Sequence, residues 1–266
     1  MRHNLADNLI IEKYKELSSM KKVGNLLGIS SDCVLTVLKR HKIPRKKYFV
    51  NETYFDKIES EEQAYWYGFM CADGYIRERK KSVELGLKLC LKDLEHLELF
   101  KTHIGSNNKI YNKIDYLTYD NGVKKSYHGV HLAVYSARLV ESIKKQGFHS
   151  RKTFSITEPK FDKKYFKDFI RGYFDGDGCC YIRNGKSPSV TYSMICASNE
   201  LREFIINELG RNSIHTITED KYRFYIPTVS DSCKFFNYIY DDAKVYLKRK
   251  KNKGEIFMNY QKTKNK

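Results

Sequence analysis

The sequence predicts an α+β fold made of two matched halves, each with the order αββαββα, preceded by a small all-α domain. Two segments, Trp66–Gly74 and Ile170–Gly178, repeat one pattern: a Gly five residues before an Asp, a small residue before that Asp, and a Gly after it. Similar helical and strand-like patterns follow both segments. The chain has 49 Lys and Arg against 32 Asp and Glu, a net charge of +17. These observations predict a duplicated, pseudo-twofold domain with a polyanionic partner.

Residues 1–47 differ from the rest, and within them residues 20–41 predict two helices around a tight turn. Gly28 suits the turn, and Ser30 suits the N-cap of the second helix. The pattern resembles a helix-turn-helix whose second helix reads DNA; a plain helical hairpin is the alternative. The candidate DNA contacts of this domain and its basic linker are Ser31, Thr36, Lys39, Arg40 and Arg45. Residues 48–158 and 159–266 then form the two repeats.

Periodicity predicts the elements of both repeats. The first begins at a capping box formed by Ser60 and Gln63. Its expected elements are a helix at 60–74, a strand at 83–91, a helix from Asp93 to Gly105, strands at 109–116 and 127–135, and a helix at 136–146. The second half is expected to have strands at 190–198, 215–218 and 222–228, helices from Asn199 and at 230–240, and a basic tail at 248–253 and 262–266.

Composition excludes several classes of protein. Aromatic residues make up 14% of the chain, too many for a disordered basic tail. Nucleic acid is the simplest partner for the net positive charge; the alternative is that the charge serves solubility alone. The seven Cys residues are scattered without a C-x-x-C pair, so neither a disulfide framework nor a zinc site is indicated. No apolar run is long enough for a membrane helix, and we expect a soluble intracellular protein. Motifs of nucleotide hydrolases, zinc proteases and serine esterases are missing from the sequence.

The repeated segments assign separate roles to their small and acidic residues. Gly68 and Ala72 are four residues apart, as are Gly172 and Gly176, so each pair shares a helix face on which a second helix backbone can approach closely. If these faces pack together, Asp73 and Asp177 meet at the end of the interface. Two adjacent carboxylates repel unless a cation lies between them, and Mg²⁺ prefers oxygen ligands. The alternative is that each Asp only ends a helix beside its Gly.

These segments resemble the two motifs of single-chain LAGLIDADG homing endonucleases, and the resemblance covers about residues 55–260. It implies two curved antiparallel sheets that form a saddle over the DNA major groove. It also implies that Asp73 and Asp177 bind divalent metal, Mg²⁺ or another, helped by the carbonyls of Ala72 and Gly176, and that both DNA strands are cut to leave short 3′ overhangs. An earlier acidic position of the motif is Asp175 in the second copy but Cys71 in the first, which departs from the family without removing a metal-binding acid.

The family often has a lysine near each cleavage centre, where it orients water or stabilises charge on the phosphate. Matched Arg-Lys dipeptides follow the last helix of each half and predict Lys152 and Lys250 for this role. Ordinary phosphate anchoring is the alternative.

Polar strand positions supply the predicted DNA contacts, by base edges or by phosphates. They are Arg77, Arg79, Lys88, His131, Arg183, Lys186, Lys221, Arg223 and Tyr225. The sequence therefore predicts a monomeric, Mg²⁺-dependent DNA endonuclease that recognises a long asymmetric site in double-stranded DNA. A DNA-binding regulator that does not cut, and a splicing maturase that binds intron RNA, are the alternatives.

Overall fold

The computed structural model describes residues 7–17, 19–44, 48–120, 122–150, 152–185, 188–215 and 217–264. The chain forms two compact units, Met1–Tyr48 and Phe49–Lys266. Within the described residues, no helix is both long and apolar enough to span a membrane.

The first unit contains three helices, α1 (Asp7–Leu17), α2 (Met20–Leu27) and α3 (Ser31–Arg40). Gly28 ends α2 with a φ of 67°, a backbone conformation that glycine adopts without strain. The Ser30 side chain accepts a hydrogen bond from the Cys33 amide and caps α3. Buried apolar residues from all three helices form a separate small core: Ile10, Tyr14, Val23, Val34, Val37 and Leu38. The two helices and the turn lie where the sequence predicts them.

The second unit contains two halves with the same order of elements, as predicted. The first half consists of α4 (Glu61–Asp73), β1 (Gly74–Arg79), β2 (Ser82–Cys90), α5 (Leu94–His103), β3 (Tyr111–Thr118), β4 (Lys124–Val134) and α6 (Ala137–Lys145). The second consists of α7 (Phe166–Asp177), β5 (Gly178–Arg183), β6 (Ser189–Ile195), α8 (Asn199–Arg211), β7 (Thr218–Glu219), β8 (Arg223–Ile226) and α9 (Val229–Tyr240).

Each half forms a four-stranded antiparallel sheet, in the order β1-β2-β4-β3 and β5-β6-β8-β7. In the first sheet Leu85, Leu87 and Leu89 face the core, and they are at most 7% exposed. The residues between them belong to the opposite face, because side chains alternate along a strand. Most core residues of the two halves join into one hydrophobic cluster that runs through the paired helices α4 and α7.

Two sequence predictions need correction. The strand expected at 215–218 is only the two residues Thr218–Glu219, because few residues there can pair with the short strand β8. The basic tail is a helix, α10 (Lys248–Lys264). It is anchored by Phe257, which is 2% exposed, and by the close approach of Gly254 to the Phe236 ring.

Candidate active site

The helices α4 and α7 pack backbone to backbone. A Cβ atom placed on Gly68 would lie 2.0 Å from the Phe169 carbonyl oxygen, and one on Gly172 would lie 1.9 Å from the Tyr65 carbonyl oxygen. One turn further on, a Cβ on Gly176 would lie 2.3 Å from the Cβ of Ala72. Only glycine permits these contacts, so the four small residues fix how closely the halves approach.

This packing brings together the C-terminal ends of both helices, where Asp73 and Asp177 lie. Asp73 Oδ2 would be 3.4 Å from a Cβ on Gly176 of the other helix. The Asp73 side chain is exposed to solvent. Desolvation by the surrounding protein, and next the repulsion from Asp177, nevertheless raise the pKa of Asp73 to about 6. Burial also raises the pKa of Asp177.

A lysine lies beside each carboxylate. Lys152 Nζ donates to the carbonyl oxygen of Cys71 at 2.5 Å and to that of Ala72. Lys250 Nζ donates to the carbonyl oxygens of Phe174, at 3.3 Å, and Gly178. Burial lowers the pKa of both lysines, while Asp73 opposes this shift in both.

These lysine contacts bear on the predicted carbonyl ligands. The Ala72 carbonyl accepts from the Lys152 ammonium, so in this arrangement a cation already lies on that oxygen. Lys152 donates to two carbonyls in the last turn of α4 that have no partner within the helix. Lys250 instead contacts the Phe174 carbonyl, which also accepts from the Gly178 amide, and the Gly178 carbonyl at the start of β5. The same contacts therefore place each ammonium within the electrostatic reach of the carboxylates and stabilise the helix ends.

A cavity of about 190 Å³ opens on this site and is lined in part by Lys152, Tyr173, Asp177 and Cys196. At about 30 Å³ for each water molecule, it has room for several. Among the described residues, no group of three or more His, Cys, Asp and Glu side chains is placed to hold a metal ion. Within the described residues, Asp73 and Asp177 are the carboxylates that lie at the paired ends of α4 and α7.

Asp175, the earlier acidic residue of the second motif, has a different environment. It is 1% exposed, and its carboxylate accepts from the hydroxyls of Tyr65 at 2.8 Å and Tyr240 at 2.6 Å and from the Leu247 amide at 2.7 Å. It therefore ties α7 to α4, to α9 and to the segment before α10. Cys71 occupies the matched position in the first half and is buried, so this connection exists in one half only.

Arg249 links the halves beside Lys250. Its guanidinium binds both carboxylate oxygens of Asp93, with Nε–Oδ1 at 2.8 Å and Nη2–Oδ2 at 2.9 Å. Asp93 belongs to the first half and is 7% exposed. The sequence analysis missed this pair. The matched Arg-Lys dipeptides predicted a role for the lysines only, and a partner 156 residues away from Arg249 has no signal in the sequence.

The structure places the predicted DNA contacts on several surfaces. Ser31, Thr36, Lys39 and Arg40 are exposed on α3, where Arg40 pairs with Asp7 at 2.8 Å. Arg183 and Arg223 are exposed on β5 and β8, and Tyr225 of β8 is partly buried. Lys221, which was expected on a strand, is instead exposed in the turn between β7 and β8. Arg45 and Lys186 lie outside the described residues.

In the first sheet, four predicted contacts have protein partners. Lys88 forms an ion pair with Asp115 of β3. Arg77 and Arg79 are about half exposed and both face Glu84. His131 is half-buried and hydrogen-bonded to the Tyr75 hydroxyl.

Neither a protein-family profile nor a characterised relative matches this sequence. Solved structures do match its fold. The homing endonuclease I-WcaI, solved bound to its DNA recognition sequence, has a TM-score of 0.55 and 15% identity, covering 85% of this chain and 96% of its own. The meganuclease I-AabMI, bound to uncleaved DNA, has a TM-score of 0.51 and 12% identity over 75% of this chain and 91% of its own. The homing endonuclease I-LtrWI, bound to target DNA, has a TM-score of 0.51 and 13% identity over 77% of this chain and 92% of its own.

The second unit has the LAGLIDADG fold. At these identities the likeness establishes the fold and not the activity. The two repeated segments are the paired helices of this fold, and its two antiparallel sheets are those described above.

Proposed function

We propose that the protein is a site-specific DNA endonuclease that hydrolyses one phosphodiester bond in each strand. One observation carries the proposal: the glycine contacts between α4 and α7 bring Asp73 and Asp177 together, with a partly buried lysine beside each. Two neighbouring carboxylates with raised pKa values are costly in a protein, and a bound cation removes that cost. The net charge of +17 suits a nucleic acid substrate.

Divalent metal fits the donor set of this site. Asp73 and Asp177 offer hard oxygen ligands, and Mg²⁺ is often held by one or two carboxylates, with water and substrate phosphate completing its shell. Such an ion would activate a water and stabilise the leaving oxygen. The Gly176 carbonyl remains a proposed further ligand, whereas the Ala72 carbonyl would have to share its oxygen with Lys152.

The two lysines are proposed to stabilise negative charge on the scissile phosphates. Burial lowers the pKa of Lys152 and Lys250, but the aspartates and neighbouring acidic groups oppose that shift. Each ammonium is also held by helix-end carbonyls, which fixes its position before substrate binds. This preorganisation distinguishes them from the many surface lysines of the chain.

The proposed substrate is double-stranded DNA with a long asymmetric site, bound by one copy of the chain. The structural neighbours named above were solved with DNA, which supports the choice of this partner for the shared fold. The first unit is proposed to contact flanking DNA through the exposed face of α3, and its tether would raise the effective concentration of that contact. From the fold, we expect the two DNA strands to be cut across the minor groove, which leaves short 3′ overhangs.

The proposal is tested with DNA that spans the uninterrupted insertion locus of the gene for this chain. The wild type is incubated with that DNA and Mg²⁺ beside Asp73→Asn, Asp177→Asn and the control Asp162→Asn, an exposed helix-capping residue whose Asn replacement still caps. We expect double-strand cleavage by the wild type and the control, and loss of about 10³-fold or more in both motif variants.

The rival functions predict different results. A regulator that does not cut would bind this DNA specifically and leave it intact with every divalent metal. A maturase without nuclease activity would bind the intron RNA in preference to the DNA. Cleavage that is equally strong in Asp73→Asn and in the wild type would refute the proposed site.

A further inference from the structure

The outward face of the first sheet contains a carboxylate that is almost completely buried. Glu84 on β2 pairs in register with Arg77 on β1, on the face opposite the leucines of the core. It is nevertheless only 1% exposed, because Tyr75, Arg77 and Arg79 surround it. A buried acid on the face expected to meet DNA was not predicted from the sequence.

The interactions of Glu84 are incomplete. The Tyr75 hydroxyl donates to Oε1 at 2.6 Å. Arg77 Nη1 lies 3.6 Å from Oε1 and Arg79 Nη2 lies 3.5 Å from Oε2, which are ion-pair distances rather than close hydrogen bonds. Oε2 has no hydrogen-bond partner of close geometry within the described part of the chain. Burial raises the pKa of Glu84, but the Tyr75 and Tyr135 hydroxyls and the two arginines together lower it. Since a buried charge with unsatisfied oxygens adds little to stability, its role is better explained by the two arginines that it holds.

Tyr75 fixes the geometry of this cluster. A Cβ on Gly86 would lie 2.3 Å from the Tyr75 ring, so the ring lies against the sheet where only glycine leaves room. Its hydroxyl has one proton, which it donates to Glu84, and therefore it accepts from His131 Nε2 at 2.5 Å. Burial lowers the pKa of His131, and the neutral imidazole then has its proton on Nε2. His131 thus orients the Tyr75 hydroxyl toward Glu84.

Arg77 and Arg79 are spaced like base pairs. They are two residues apart on one face of β1, a separation of about 6.6 Å at 3.3 Å per residue. Two base-pair steps span about 6.8 Å. Both side chains remain about half exposed, at 55% and 49%. Arginine reads guanine through a bidentate contact to O6 and N7, which requires a fixed guanidinium.

We propose that Glu84 is a positioning residue that holds Arg77 and Arg79 as readers of two guanines, two base pairs apart, in one half of the DNA site. The proposal rests on the proposed function, because it requires that this face meets the major groove. Glu84 itself touches no DNA in this arrangement and acts through the arginines.

The second half lacks this cluster. Aligning Gly74 with Gly178, the register positions that match Tyr75, Arg77 and Glu84 are Cys179, Tyr181 and Thr191. Arg183 matches Arg79 but faces Ser189 across the strand pair, without a carboxylate at the position of Glu84. The arginine pair would therefore read one half-site only, and Arg183 serves as a matched control.

The experiment measures the sequence preference of the full chain on a library of DNA sites, randomised around the cleavage locus. We expect the wild type to select guanine at two positions two base pairs apart. Arg77→Ala should lose one of these preferences, by about 5- to 100-fold, and Arg79→Ala the other. Glu84→Gln should flatten both preferences, while the slope of log K against log salt changes little, because both cationic side chains remain. Arg183→Ala should change the slope of log K against log salt by about 1 and leave both preferences intact.

Several results would overturn the inference. If Glu84→Gln keeps both guanine preferences, Glu84 does not position the arginines. If Arg77→Ala weakens binding uniformly across all sequences, Arg77 contacts phosphate. If Glu84→Gln does not fold, Arg77→Lys is tested in its place. This variant keeps the positive charge at position 77 and the Glu84 carboxylate but loses the planar guanidinium. An unchanged guanine preference in Arg77→Lys would also overturn the inference. Failure of the wild type to bind any DNA in the library would remove the proposed function itself, whereas binding without guanine selection removes only this inference.

Discussion

Replacing Gly172 with alanine tests the helix interface on which the candidate site depends. The new Cβ would lie 1.9 Å from the Tyr65 carbonyl oxygen, and real Cβ atoms essentially never approach another heavy atom within 3.0 Å. The atom it meets is backbone, so no side chain can rotate away. The helices α4 and α7 must therefore move apart by more than about 1 Å, or the backbone must bend by a similar amount.

The free energy of this change has two parts. Alanine gains about 1 kcal/mol of helix preference over glycine, and overpacking against fixed backbone costs about 3 kcal/mol. We expect Gly172→Ala to lower the free energy of unfolding by about 2 kcal/mol. With a urea m-value of about 2 kcal/mol per molar, the unfolding midpoint falls by about 1 M. Since displacements of about 1 Å in a catalytic site cost about 10²-fold in rate, DNA cleavage should fall by about that factor even where the variant remains folded.

The control is Gly210→Ala in α8. The nearest atom to a Cβ at Gly210 lies 4.0 Å away, so only the gain in helix preference remains. This variant should keep the wild-type cleavage rate and gain up to about 1 kcal/mol of stability. The reasoning is refuted if Gly172→Ala unfolds at the wild-type urea concentration, or if the two alanine variants behave alike.

Two further predictions concern groups around the interface. Burial lowers the pKa of His96 from its ordinary 6.5 to about 4. The unfolded chain therefore binds this proton first as the pH falls, and stability is lost between pH 6.5 and 4. Urea unfolding of the wild type should show a pH-dependent loss of about 3 kcal/mol over this range that His96→Gln lacks, and an identical pH dependence in both would contradict the prediction. Asp93→Asn should loosen the bidentate contact to Arg249 and misplace the adjacent Lys250. Cleavage of one DNA strand should then slow by about tenfold or more, so that nicked DNA accumulates on a strand-specific gel. Glu95→Gln, which breaks an exposed ion pair, should cut as the wild type does.

The sequence was a good guide wherever local patterns decide the structure. Periodicity, caps and glycines predict the order of helices and strands in both halves, although not the bounds of every strand. The short strand β7 was placed too early, and α10 was not predicted as a helix, because a run of lysines gives no apolar stripe and its anchor Phe257 is a single residue. Tertiary contacts, not local preference, decide both elements.

The site was predictable to a smaller extent. The repeated glycines and aspartates indicated which residues lie between the halves. The electrostatic partners could not be read in the same way: the Arg249–Asp93 pair spans 156 residues, and the acidic residue Glu84 has the same pattern in the sequence as any solvent-exposed strand residue. The use of the Ala72 carbonyl by Lys152 is likewise visible only once the chain is folded.

The two halves also differ from each other in a way that follows from geometry. Where the halves face one another, each helix meets its own copy, and any side chain added on one side collides with the other backbone, as at Gly68 and Gly172. Pseudo-symmetry therefore restricts both copies to small residues at that interface. The outward faces have no such constraint, because each would meet a different stretch of an asymmetric DNA site. The charged cluster around Glu84, matched by Thr191 in the other half, is the kind of difference that this freedom permits. Under the proposed function, the sheets would then determine specificity and the paired helices would supply the chemistry.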